Sequence, residues 1–127
     1  PVFRGAHGEW QCADMYARVG RARITSNLAT GGERVDGKEF LRAHLGIHIY
    51  KKVVSELKRA ALLVVNTVQQ RYEFNIDAIG CDFGLEGEQI FLFEINGYPG
   101  LRGCYQTAVP IKVAYYNYLI KKLSLQK

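Results

Sequence analysis

The spacing of apolar residues changes near residue 75, and that change restricts the fold more than any other feature. Upstream, Ile49, Val53, Leu57, Ala60, Ala61, Val64 and Val68 recur three and four residues apart. That spacing places them on one face of a helix over His48–Arg71, with Lys51, Lys52, Glu56, Lys58 and Arg59 largely off it. Downstream, Ala78–Leu85 and Gln89–Asn96 are short apolar runs separated by Glu86-Gly87-Glu88, the pattern of two strands and a tight turn. A long helix with a single apolar stripe beside a hairpin predicts a helix laid on a sheet.

The flanking segments complete that architecture. Glu9–Val19, with Trp10, Cys12, Met15, Tyr16 and Val19, reads as a strand. Gly20–Gly37 is a long loop rich in Gly, Thr, Ser, Asn and Arg, and long loops in compact domains tend to carry function. A short helix is predicted over Lys38–His44, opened by Asp36-Gly37 and closed by Gly46. The second hairpin strand is apolar on both faces, which predicts a central strand covered on both sides. Asn96–Gly103 is a Gly/Pro loop, and Val109–Leu125 is a closing helix with Pro110 in its first turn. The order strand, helix, helix, hairpin, helix describes an α+β fold with helices flanking a largely antiparallel sheet. Its 127 residues suit a single domain. Pro1 reads as an internal boundary, making the domain part of a longer chain.

Several function classes fall away on composition. The longest apolar runs, such as Ala60–Val65, are far short of the roughly 20 residues of a membrane span. No signal peptide opens the sequence. Cys12, Cys81 and Cys104 are odd in number, widely spaced and without a Cys-x-x-Cys pair, which disfavours a disulfide framework or zinc site and suits a reducing cytoplasm. The formal charge of +5 is spread through helices as well as loops, so it reads as a solvated surface and gives only weak grounds for nucleic-acid binding.

One residue is out of place by these rules. Glu94 lies inside the apolar run Ile90-Phe91-Leu92-Phe93-Glu94-Ile95, where an uncompensated carboxylate is costly. Asp82 stands in the partner strand, opposite residues 92 to 94 if the turn centres on Gly87 or Glu88. With side chains alternating by two, Asp82, Leu92, Glu94 and Asn96 are predicted to share one face. Such hard oxygen ligands suit Mg²⁺, which takes one or two carboxylates together with substrate phosphates. Pairing of each carboxylate with a Lys or Arg elsewhere is the competing explanation. His7, His44 and His48 lie far upstream and read as surface or interface residues.

The motifs carry a resemblance. Gly80-Cys81-Asp82-Phe83-Gly84, a short turn, then Phe93-Glu94-Ile95-Asn96-Gly97-Tyr98-Pro99-Gly100 resembles the metal-binding signature of ATP-grasp enzymes. Ala17-Arg18-Val19-Gly20 and Ser26-Asn27-Leu28-Ala29-Thr30-Gly31-Gly32 are similar to the Ser-Asn-Leu-x-x-Gly-Gly loop of two ATP-grasp groups. These are the ligases that add glutamate to protein or peptide carboxyls and the spore-coat-associated ATP-grasp proteins. The two matches lie in the family's order and span about Glu9 to Arg102.

The resemblance implies the C-terminal, metal-binding lobe of a carboxylate–amine ligase, with the glutathione-synthetase-like ATP-binding fold. ATP would phosphorylate a carboxylate and an amine would displace the phosphate. It implies ATP and Mg²⁺ (or Mn²⁺) as cofactors, with Asp82, Glu94 and Asn96 as metal ligands. Arg21 and Arg23 would meet a γ-phosphate or the developing acylphosphate, and guanidinium groups suit such contacts. Asn27, Gly31, Gly32 and Leu92 would line the nucleotide, and Arg102 would hold a substrate carboxylate. Trp10, Tyr16, Tyr115, Tyr116 and Tyr118 read as core or lobe-contact residues. The family's other lobe, which supplies phosphate-binding lysines and the adenine hinge, has no counterpart before Glu9. It is therefore expected in cis or from a partner chain, and an uncovered lobe face would favour self-association. Two non-catalytic readings stay open: a degenerate ATP-grasp module, and a basic module gripping an anionic partner through Arg18, Arg21, Arg23 and Arg34.

Overall fold

A computed structural model of the chain describes residues 1–19 and 33–125. Six strands and two helices follow in the order β1 (Val2–Arg4), β2 (Trp10–Cys12), β3 (Tyr16–Val19), β4 (Glu33–Asp36), α1 (Gly37–Gln69), β5 (Ala78–Glu86), β6 (Gln89–Asn96) and α2 (Tyr105–Ser124). Strands β2-β1-β5-β6 form one antiparallel sheet and β3–β4 form a separate two-stranded one. This is the expected α+β arrangement of antiparallel sheet and flanking helices.

Strand β1 explains how both helices are held. Val2 pairs with Ile79 and Phe3 with Ala78, so alternate residues of the two strands face opposite sides. Val2 and Ile79 pack with Ala61 and Val65 of α1, while Phe3 and Ala78 pack with Ala13, Cys104 and Ala108 on the α2 side. The sheet is thus sandwiched only where β1 meets the start of β5. Ala78, Ile79 and Gly80 are buried, whereas Cys81 to Gly84 are half-buried and the following residues exposed. Farther along the hairpin, α1 covers one face, with Phe83 and Ile90 packing against Leu41, Val53 and Leu57.

The long amphipathic helix forms as its pattern predicts, and its buried stripe is Val53, Leu57, Ala61 and Val65, spaced by four, with Leu41 one segment earlier. Two helical stretches meet at Gly46, whose backbone (φ 79°, ψ 167°) lies in a region open essentially to glycine, so the predicted break is real. Asp36 caps the helix, its side chain accepting from the Glu39 amide at 2.8 Å. Lys52 reaches Glu88 at 2.6 Å and ties the hairpin tip to the helix.

Several sequence expectations are corrected, among them the loop Gly20–Gly37, within which Glu33–Asp36 forms strand β4 and Gly37 opens α1. The run Glu9–Val19 is two strands in different sheets, because Ala13 turns into the core at 5% exposure and the Asp14 amide donates to Thr107. Strand β1 was not visible, since three residues are too few to show a period. Strand β6 is an edge strand among the described elements, and Phe91, Leu92, Phe93 and Ile95 stay exposed, with α2 packed over β1 instead. Helix α2 begins four residues earlier than expected, placing Pro110 beyond its first turn.

Candidate functional site

The open part of the sheet carries the unusual carboxylates. Asp82 pairs directly with Glu94, and Gly80 with Asn96, so Asp82, Glu94 and Asn96 project from one face, the side away from α1. Side chains directly opposite on antiparallel strands have Cβ atoms about 5 Å apart, close enough for both carboxylates to meet one ion. Gly80 lets this end of the hairpin close, because a Cβ there would stand 3.2 Å from the Asn96 and Pro99 Cβ atoms.

A β-bulge follows immediately. The register slips between Asp82 and Phe83, so Phe83 pairs with Leu92 and Phe93 is the extra residue. The slip corrects the expected placement of Leu92, which lies with Phe83 and Ile90 beside α1 residues Ala60 and Val64, on the face opposite Glu94. Phe93 takes the position over Gly84 instead. Simple alternation misses this because a single inserted residue flips every later side chain.

Two arginines from the β3–β4 hairpin come down on the same ground. Arg18 and Arg34 are directly paired across the two strands. One Arg18 Nη donates to both Asp82 carboxylate oxygens, at 3.0 and 3.3 Å. Burial alone would lower the Arg18 pKa, but hydrogen bonding to Tyr16 and the Asp82 charge outweigh it and the net shift is upward, so the group stays a cation. The Arg34 guanidinium lies 4.3 Å from the centre of the Tyr16 ring and donates to the backbone carbonyl of Arg102. That bond ties β4 to the loop before α2. Arg18, Arg34 and Tyr16, with Asp82, Glu94, Asn96, Pro99 and Gly100, line an open groove of ≈ 950 Å³.

The other sequence candidates fall differently. Arg102 is exposed and its side chain is not part of the groove lining; only its carbonyl is used. Arg21, Arg23, Asn27, Gly31 and Gly32 lie outside the described residues. Val19 and Glu33, which flank that segment, are paired with each other. Sequence reasoning gave no site role to Tyr16 and put Arg18 and Arg34 only in the basic module that would grip an anionic partner. Alternation along β3 would have set Tyr16 and Arg18 on one face, yet nothing local could show that this face meets β5.

The donor chemistry fits a hard cation. Two carboxylates and a carboxamide oxygen face one groove, and among the described residues no group of three or more His, Cys, Asp or Glu side chains forms a closed site. A partial set of oxygen ligands that leaves positions for water and phosphate is the habit of Mg²⁺, and it lacks the nitrogen and sulfur that zinc prefers. Asp82 is engaged by Arg18, whereas Glu94 has no ion-pair partner among the described residues. Also among the described residues, no helix is long and apolar enough to cross a membrane.

No curated protein and no solved structure matches the chain significantly. A family model described as YheC/D like ATP-grasp matches residues 2–122. The chain belongs to this ATP-grasp family, whose members bind ATP and usually divalent metals.

Proposed function

We propose that the chain is the metal-binding lobe of an ATP-dependent carboxylate–amine ligase. The observation that carries this reading is the direct pairing of Asp82 with Glu94, with Asn96 on the same face, in a chain of the ATP-grasp family. Asp82, Glu94 and Asn96 hold Mg²⁺, or Mn²⁺ in its place. When bound, the metal would screen the triphosphate, so that an anionic carboxylate can attack the γ-phosphorus as the bond to the β,γ-bridging oxygen breaks and ADP leaves. The chain's own part is positioning and charge balance. Strands β5 and β6 fix the carboxylates, and Arg34 braces the 97–103 loop that walls the groove. Arg21 and Arg23 meet the transferred phosphoryl group, and Asn27, Gly31 and Gly32 approach the nucleotide. Arg102 would hold a substrate carboxylate. An amine then attacks the acylphosphate and phosphate leaves.

A second lobe, in the same chain or another, supplies the rest of the nucleotide site. The exposed side chains of Phe91, Phe93, Ile95 and Tyr98 give it an apolar surface to cover, and without it they favour self-association. The single ligase lobe works in a reducing cytoplasm, which suits its three free thiols. The basic-module reading is weaker, because Arg18 and Arg34, its two described arginines, spend hydrogen bonds inside the molecule.

Calorimetric titration of Mg²⁺ and ATP into the chain and into an Asp82→Asn/Glu94→Gln variant tests the proposal. Mg²⁺-dependent nucleotide binding that disappears in the variant is the expected result. Equal binding by both proteins would remove the two carboxylates from the site.

A further inference from the structure

Asp82, one of the two carboxylates offered to a metal, already has a cation on it. The Arg18 contact uses both of its oxygens, at 3.0 and 3.3 Å, with the two side chains 32% and 29% exposed. Glu94, directly across the ladder, has no such partner among the described residues. We propose that Arg18 is a positioning residue that holds Asp82 as a resident counter-cation, so that the site binds bare divalent metal less readily than metal that arrives with a polyanion. The inference rests on the reading of Asp82, Glu94 and Asn96 as metal ligands.

The argument is one of charge. Among described residues lining the groove, Arg18, Arg34 and Lys58 are positive, and Asp82 and Glu94 are negative, giving +1 before any metal enters. Adding a divalent ion alone raises that to +3. A metal ion sits about 2 Å from a carboxylate oxygen, so it competes with the guanidinium for the Asp82 charge and lone pairs. Displacing Arg18 leaves it beside Arg34, its cross-strand neighbour, with its own counter-ion lost. In a half-buried groove that repulsion is less screened than at the surface. Phosphate groups entering with the metal restore the balance and give the freed guanidinium a new anion. Metal and polyanion affinities are therefore coupled through Arg18, and the coupling runs both ways.

The test compares wild type, Arg18→Gln and Arg18→Lys, with folding checked by circular dichroism and melting. Each is titrated with Mn²⁺ alone, followed by the free-ion electron paramagnetic resonance signal, and with Mn²⁺ preloaded on inorganic tripolyphosphate. Removing the competing charge should tighten binding of Mn²⁺ alone about threefold to fivefold, the worth of a half-exposed ion pair. Binding of the Mn²⁺–tripolyphosphate complex should not tighten, and Arg18→Lys should behave like wild type. A merely structural role would move both ligands in the same direction. Unchanged or weaker Mn²⁺ binding in Arg18→Gln overturns the inference and leaves the metal reading standing. If wild type and Arg18→Gln both fail to bind either ligand, the metal reading itself fails and the inference goes with it.

Discussion

Replacing Phe3 by Ala tests the least obvious part of the fold, the central position of a three-residue strand. Phe3 has no exposed surface and packs against Ala13, Ala78, Cys104 and Ala108. These neighbours are small and have few rotamers with which to refill the space of a lost ring. The substitution should therefore fall near the middle of the range for Phe→Ala, about 4 kcal/mol. With a urea slope of about 2 kcal/mol per molar, the unfolding midpoint should drop by about 2 M. Urea titration followed by circular dichroism measures this directly, with Tyr98→Ala as a control. Tyr98 is 98% exposed, so its removal should change stability by less than about 0.5 kcal/mol. A Phe3→Ala loss under about 1.5 kcal/mol would refute the placement of β1 between β2 and β5, because an edge or frayed strand costs little to truncate.

Burial pushes the Cys81 thiol up to about 11, with the neighbouring Cys12 and Asp82 also raising it. At pH 8 it should react with iodoacetamide about a hundredfold more slowly in the folded chain than in urea, and equal rates would place it in solvent. The unfolded thiol loses its proton first. Stability should therefore be full below the ordinary thiol range and decline as pH rises from about 8.5 toward 11; a flat profile there would contradict the shift. Gly46→Ala should cost about 1–3 kcal/mol although nothing lies within 4 Å of the added Cβ, since the penalty is wholly in the backbone. A cost below about 0.5 kcal/mol in urea titration would mean that the two helical stretches do not break there.

The long helix, the hairpin and the pairing of Asp82 with Glu94 were legible because each is a local pattern: a four-residue stripe, a Gly-centred turn, and a charge among apolar neighbours. Glu94 is exposed, however, so the expected cost of a carboxylate buried in that strand does not arise. What was not legible depends on contacts far apart in sequence. Nothing near Val2 and Phe3 announces that they pair with Ala78 and Ile79. The position of Leu92 depends on one inserted residue in the ladder. The apolar character of β6 was read as a demand for cover on both faces, yet helix α1 covers one face. Arg18 and Arg4 look alike as sequence. Arg4 is consumed by Gly8, Gln69 and Ile76, whereas Arg18 stands on a groove carboxylate.

Paramagnetic broadening by Mn²⁺ in the presence of ATP tests the central claim most directly, because it locates the ion rather than counting it. In the ¹⁵N–¹H spectrum, the amides of residues 80–83 and 93–97 should broaden first, and Asp82→Asn/Glu94→Gln should abolish the effect. Broadening centred instead on Glu86 and Glu88 at the hairpin tip, or spread evenly over exposed carboxylates, would contradict a metal site between β5 and β6.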